Sequence, residues 1–277
     1  MTVSRVPDVL DRVLAVLNVE PSAILSDFDG TLSQIAPLPD AAVLHPDIAR
    51  ILPDLSHQLP LLAVITGRSA ADAAAKIGIP EMLYVGNHGL EWSENGSYRV
   101  HEAGREAERA VADALADIDR DLRDRQVDLD GMLFENKRFS ASIHFRMVAD
   151  PAAFEAVLTP IATQRAAEHG LRLTGGKMMV ELRPATTISK GSAVEEIVAE
   201  RNLKSVIFLG DDVTDVDAFR VVKRLREDGA LEDGLVIGVL STDANSLVAE
   251  ESDLLLDGVD EVAALFVALS ERLAAAS

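Results

Sequence analysis

Four short apolar runs constrain the fold of this chain more than any other feature. Ala23–Ser26, Leu61–Ile65, Met82–Val85 and Ser205–Leu209 each stop abruptly in a polar or glycine-bearing turn. Runs of this length bounded by turns fit buried parallel strands. Helical patterns accompany them. Val6, Leu10, Val13 and Leu17 recur at helical spacing within residues 4–18, residues 47–57 follow Pro46, and Ser69 can cap a helix that runs to Gly78. This alternation predicts an α/β fold with a doubly wound, mostly parallel, Rossmann-like core. Ligands of such sheets bind beyond the carboxyl ends of the strands. The turns found there are Asp27-Phe28-Asp29-Gly30-Thr31-Leu32, Thr66-Gly67-Arg68, Gly86-Asn87-His88-Gly89 and Gly210-Asp211-Asp212-Val213-Thr214-Asp215.

The rhythm breaks near Gly104 and returns after Pro184. Asn95-Gly96 between Trp92 and Tyr98 signals a hairpin just before the break. Residues 105–127 then read as a charge-rich helix, 132–148 as two strands, 151–169 as a second helix, and 171–174 with 177–183 as two strands turned by Gly175-Gly176. Phe139, Ala141, Ile143 and Phe145 alternate with Ser140, Ser142, His144 and Arg146, a period of two that predicts one packed and one open face. The insert is therefore expected to be an α+β domain over 103–184, inside a core made of 1–102 and 185–277. Beyond it, Lys190-Gly191 opens a helix. The strand 205–209, a helix, the strands 235–240 and 253–256 and a last helix complete the chain.

Composition narrows the function. The net charge of −20 argues against a general affinity for nucleic acid, which requires cationic surface. It leaves room for an anionic substrate where a bound cation reverses the field locally. The chain has no cysteine, so disulfides and thiolate chemistry are excluded, and a reducing cytoplasm suits it. No apolar run approaches the roughly 18 residues of a membrane span. The N-terminal stretch lacks a signal-peptide pattern. No His/Cys cluster suggests zinc, and no nucleophile elbow or P-loop is present. Oligomeric state is not legible, and a monomer is compatible with the sequence.

Asp27 with Asp29, Thr66, Lys190, and Asp211 with Asp215 end or begin elements on one edge of the expected sheet. An isolated Asp-x-Asp-Gly is more often a helix-capping turn. Here, carboxylates that converge repel one another unless a cation joins them. An oxygen-only set with few protein ligands suits Mg²⁺. Lys190 and Thr66 add a cation and a hydroxyl donor of the kind a phosphoryl group uses.

With Asp-Phe-Asp-Gly-Thr-Leu, a strand-terminal Thr66, Lys190 and Gly-Asp-Asp-x-Thr-Asp in that order, the chain resembles the haloacid-dehalogenase superfamily of phosphatases, with an insert similar to a C2 cap. Four further stretches resemble the trehalose-6-phosphate phosphatases. They are Gly86-Asn87-His88-Gly89-Leu90-Glu91, Glu135-Asn136-Lys137 with His144-x-Arg146, Lys177-x-x-x-Glu181-Leu182-Arg183-Pro184, and Gly210 to Asp215. The resemblance implies that Asp27 is a nucleophile forming an aspartyl-phosphate. Asp29 would be the acid and base, its protonated state favoured by carboxylate neighbours. Thr66 and Lys190 would hold the phosphoryl oxygens. It implies Mg²⁺ bound by Asp27, Asp211 and the carbonyl of Asp29, with Asp212 and Asp215 steadying its waters. A sugar phosphate would be contacted by Thr66, Gly67, Arg68, His88, Glu91, Lys137, His144, Arg146, Lys177, Glu181 and Arg183. His88 reads equally as a loop histidine with a backbone partner, and Trp92 as hairpin packing or a sugar platform.

Other readings stay open at this point. The same chemistry could serve sucrose phosphate or mannosyl-phosphoglycerate. A receiver-like phosphoacceptor also combines an acidic pocket with Thr and Lys, but it has no use for Asp29 as an acid or for a cap. A catalytically idle sugar-binding relative would not need all four motifs.

Overall fold

The structure, a computed structural model, describes residues 6–176, 178–241 and 246–276. Lys177 lies outside these residues. The chain divides into two compact units, one formed by the residues up to Arg99 and from Ile188 onward, the other by Val100–Thr187.

The first unit is built on an eight-stranded sheet. In chain order its strands are β1 (Ser22–Ser26), β2 (Leu62–Ile65), β3 (Leu83–Gly86), β4 (Glu91–Glu94), β5 (Ser97–Val100), β10 (Ser205–Gly210), β11 (Asp233–Leu240) and β12 (Leu254–Asp257). The spatial order is β12-β11-β10-β1-β2-β3-β4-β5. Every pair from β12 to β3 is parallel, and β4 runs antiparallel to β3. β1 and β10 are buried at every residue, as strands covered on both faces must be.

Alternate strand residues feed two separate cores. Ile24, Val64 and Ile237 pack with α1 (Val6–Leu17), α2 (Pro46–Gln58), α3 (Ala70–Ile77) and α9 (Gly258–Ala276). Leu25, Ile65 and Phe208 pack with α6 (Lys190–Arg201), α7 (Val213–Glu227) and α8 (Ser246–Glu251). The expected strands and major helices of this unit form, with boundaries shifted by a residue or two. The short α8 has no counterpart in the sequence reading, because six residues carry too little periodicity to register. Among the described residues, no helix is long and apolar enough to cross a membrane.

The second unit contains α4 (Glu102–Asp124), β6 (Leu133–Asn136), β7 (Ala141–His144), α5 (Pro151–Glu168), β8 (Leu171–Gly176) and β9 (Met179–Pro184). Its sheet is antiparallel throughout, in the order β6-β7-β9-β8. Ala141, Ile143, Val180 and Leu182 form one core with Val111, Ile118, Phe154 and Leu158 of the two helices. Gly175 and Gly176 are not the turn that the sequence suggests. They extend β8 and pair with Val180 and Met179, and Met178 just beyond has a φ of +59°. The expected open face is also corrected: Ser140 and Ser142 are buried, as are Glu181 and Arg183.

Candidate active site

Three adjacent central strands carry the chemistry. β1 leads into Asp27, its neighbour β10 into Asp211, and β2, on the other side of β1, into Thr66. After β1 the chain builds outward in one direction, and β10 to β12 build in the other. The crevice therefore lies where an open sheet binds ligands. Lys190 is the first residue of α6, whose start is fixed by a Ser189–Ser192 capping box. Its ammonium lies 2.8 Å from Asp27 Oδ1 and 2.7 Å from Asp215 Oδ1. Asp215 Oδ2 accepts from the backbone N–H groups of Asp211 (3.1 Å) and Asp212 (3.0 Å). Both oxygens of Asp215 are thus engaged within the protein.

Asp27, Asp211 and Asp215 each offer an oxygen within 4.8 Å of the others, and all three side chains are buried. This donor set, hard oxygens only, fits a divalent cation. Gly30 permits the arrangement. It has a φ of +85°, and a Cβ there would lie 2.2 Å from Asp211 Oδ2.

Burial is the largest influence on each charge. It pushes the Asp27 carboxyl up to about 7, against the pull of Lys190. It raises Asp215 in the same way, again opposed by Lys190. For Lys190, burial disfavours the ammonium, but Asp215 and Asp27 outweigh it and hold the charge. One buried cation therefore serves two buried anions, and the remaining negative charge is what a second cation would neutralise.

Asp29 neighbours the Asp27 carboxyl and is also gripped by a cation. Arg68 grips it through Nε (2.6 Å) and Nη2 (2.7 Å), and Arg68 Nη1 reaches Asp72 at 2.6 Å. The guanidinium also donates to the Pro39 carbonyl and lies over the Phe28 ring at 5.3 Å. Burial works against its charge, and Asp29 and Asp72 more than offset that. Asp29 is thus held in a bidentate ion pair, and every side-chain nitrogen of Arg68 is engaged. Thr66 is buried, and its hydroxyl accepts from the Arg68 N–H at 3.2 Å.

His88 and Glu91 are both buried in the first unit. Glu91 accepts from Ala70 N–H, from the Asn87 side chain and from the Tyr98 hydroxyl. Trp92 belongs to the core beside α6, donates to the Gly89 carbonyl at 3.1 Å and is covered by Arg99 at 4.0 Å. That is hairpin packing, not a sugar platform.

In the second unit the register gathers polar residues on the sheet face opposite its helices. Glu135, Ser142, Glu181 and Thr174 form one row across the four strands. His144 and Arg183 lie on the same face, since alternate residues of a strand share a face. His144 Nε2 lies 2.8 Å from Glu135 Oε2, and the Lys137 ammonium pairs with Glu181. Arg146 is exposed beyond the end of β7. Sequence reasoning gave no role to Asp72, Tyr98 or Glu135, although Glu135 lies in the Glu135-Asn136-Lys137 stretch and Asp72 carried a signal in its i,i+4 spacing from Arg68.

A model of the family described as trehalose-phosphatase matches residues 25–255. The chain belongs to the trehalose-phosphatase family. Curated relatives include a trehalose-phosphate phosphatase of Mycobacterium tuberculosis, 34% identical over 269 residues, covering 91% of this chain and 66% of that one. The corresponding protein of Mycobacterium marinum is 36% identical over 228 residues, covering 79% and 56%. An uncharacterized glycosyl hydrolase of M. tuberculosis is 36% identical over 235 residues, covering 80% of this chain and 17% of its own length. The chain thus spans between a sixth and two thirds of the length of these relatives. The C-terminal domain of the C. albicans trehalose-6-phosphate phosphatase shares its fold, with a TM-score of 0.77, 20% identity and 97% of each chain covered. Asp27, Lys190, Asp211 and Asp215 all lie inside the matched span.

Proposed function

We propose that the protein is a Mg²⁺-dependent phosphatase that releases trehalose and phosphate from trehalose 6-phosphate, the last step in making trehalose. The observation that carries this reading is the burial of Asp27, Asp211 and Asp215 close together, with Lys190 paired to Asp27 and Asp215, at the switch point of the sheet. Asp27 attacks phosphorus, and the bond to the sugar oxygen breaks as Asp29 gives that oxygen a proton. Asp29, now a carboxylate, takes a proton from water. The water oxygen attacks phosphorus and frees the Asp27 oxygen. Arg68 suits this second half, because it grips Asp29 in carboxylate form. For the first half the carboxyl must leave the fork and carry a proton to the leaving oxygen. Lys190 keeps Asp27 oriented, and with Thr66 it holds the phosphoryl oxygens. Asp27, Asp211 and the Asp29 carbonyl would hold Mg²⁺, which would supply positive charge against the phosphoryl oxygens. Asp215, with both oxygens occupied, positions Lys190 and the Asp211 turn.

The metal assignment gives a first prediction. Excess chelator abolishes phosphate release and Mg²⁺ restores it. Asp211→Ala raises the Mg²⁺ concentration for half-maximal rate by about 100-fold or more, beyond the roughly 10–100-fold of an outer-shell loss. Full activity in excess chelator would end the assignment.

Sugar selection is assigned to the polar face carrying Lys137, His144, Glu181 and Arg183, together with Arg146 and with Lys177, which lies outside the described residues. A phosphate-release screen over sugar phosphates and a small aryl phosphate tests both parts. Trehalose 6-phosphate is expected to be the preferred sugar phosphate. Glu181→Ala lowers kcat/KM on it by about 10–150-fold, the equivalent of one charged hydrogen bond, and leaves the aryl phosphate nearly unchanged. Preference for sucrose phosphate would move the assignment to that sugar. Equal losses on both substrates would make Glu181 a support of the fold.

A further inference from the structure

We infer that Glu91 is a positioning residue for the phosphoryl-binding loop Thr66-Gly67-Arg68, not a contact for the sugar. The inference rests on the phosphatase reading above for what that loop binds. It rests on geometry within the first unit for how the loop is held.

The loop is fastened to the segment after β3 by its backbone. Asn87 N–H donates to the Arg68 carbonyl at 2.7 Å, and His88 N–H donates to the Thr66 carbonyl at 2.9 Å. Asn87 and His88 make these bonds from the left-handed region, with φ of +49° and +56°. Two successive residues with side chains rarely adopt it, and such strain persists only where the surroundings over-determine it. The fit is also close, since a Cβ on Gly67 would lie 2.7 Å from His88 Nε2.

Glu91 supplies what holds the segment in that shape. Its Oε1 accepts from the Asn87 side-chain amide and from Ala70 N–H at 3.1 Å, in the first turn of α3. Its Oε2 accepts from the Tyr98 hydroxyl at 2.7 Å. The carboxylate is 3% exposed and has no Lys or Arg partner among the described residues. Burying a carboxylate without a counter-ion is expensive unless its oxygens are hydrogen-bonded. Here one carboxylate ties the strained turn, the start of α3 and the hairpin strand β5 into a single bracket around Thr66–Arg68. Both carboxylate oxygens of Glu91 are engaged in this bracket.

The experiment compares Glu91→Ala, Glu91→Gln and Tyr98→Phe on trehalose 6-phosphate and on a small aryl phosphate at saturating Mg²⁺. Amide NMR signals of Gly67 and Arg68 are followed in parallel. Glu91→Ala is expected to lower kcat about 10–100-fold on both substrates alike and to shift both amide signals. Glu91→Gln keeps an acceptor for Ala70 and Asn87 and recovers most of the rate. Tyr98→Phe, the mildest change, lowers kcat a few-fold on both substrates if Glu91→Ala does not fold. A loss confined to trehalose 6-phosphate would make Glu91 a sugar contact and overturn the inference. Unchanged kcat and unmoved Gly67 and Arg68 signals, with only a lower Tm, would reduce Glu91 to a helix cap and overturn it too. If the wild type released phosphate from neither substrate while those signals moved in Glu91→Ala, the phosphatase reading would fail and the positioning would stand.

Discussion

Asp27→Asn folds, retains cooperative unfolding and loses turnover by on the order of 10⁵-fold or more, the scale seen when a covalent nucleophile is removed. That corresponds to roughly 7 kcal/mol of lost transition-state stabilisation. The amide is nearly the same shape as the carboxyl and can still accept from Lys190, so packing beneath β1 is preserved. What disappears is the anionic oxygen that must bond to phosphorus. The loss is expected to be equally large on a sugar phosphate and an aryl phosphate, because both pass through the same oxygen. Beryllium fluoride, a mimic of the phosphoryl group, is expected at Asp27 in the wild type and absent from the variant. Label on any other carboxylate, or residual turnover within about 100-fold of wild type, would remove Asp27 from the role.

Lys190→Met gives the second large effect, and it separates two consequences of one contact. The methionine fills the volume but leaves Asp27 and Asp215 buried without their shared cation. Breaking a buried ion pair by removing one partner costs about 3–5 kcal/mol. For a chain of this size that is roughly 6–20 °C in Tm. Turnover at pH 7 falls by about 10²–10³-fold, the usual effect of deleting one electrostatic stabiliser. The pH dependence carries a definite sign. Lys190 lowers the Asp27 carboxyl, which burial alone would drive above about 7. Without Lys190 that carboxyl moves higher, and attack needs its ionised form, so the rising limb of the rate profile shifts to higher pH. Stability moves the other way. A carboxyl raised in the folded state holds more protons there than in the unfolded chain, so the variant loses stability as pH rises between the two values. Parallel pH–rate and pH–Tm series on both proteins check this. An unshifted rate profile would show that Lys190 does not act on Asp27.

The parts of this molecule that were legible in the sequence are those written in local pattern. Leu61–Ile65 and Ser205–Leu209 read as strands because every residue but Ser205 is apolar and each run ends in a turn. Asn95-Gly96 forms its hairpin turn with both φ values positive, as that dipeptide favours. Lys190 and Asp215 could be placed on one edge because each borders a recognisable element. The illegible parts depend on partners chosen by tertiary packing. Arg68 is 39 residues from the Asp29 it grips, and nothing near it in sequence announces that pairing. Glu91 reads as a substrate contact until Ala70 N–H is found beside it. Gly175 and Gly176 carry a turn's composition, but pairing with Val180 and Met179 outweighs their weak preference, and the reversal comes later. Ser140 and Ser142 alternate as an open face would, yet both are buried. Period alone reports which residues share a face, not what covers it.

The order of strands has a further consequence during synthesis. β1 emerges early and needs β2 on one side and β10 on the other, and β10 lies about 180 residues later. At typical translation rates this is roughly 10–40 s. Throughout that interval the nascent chain carries a strand with the apolar centre Ala23-Ile24-Leu25 and one unpaired edge, the kind of surface that recruits other strands. The inserted second unit is translated within the same interval, and its four strands pair among themselves. The strand that leads into Asp27 is therefore exposed to aggregation in the newborn protein, and that edge is covered only when Ser205–Gly210 arrives.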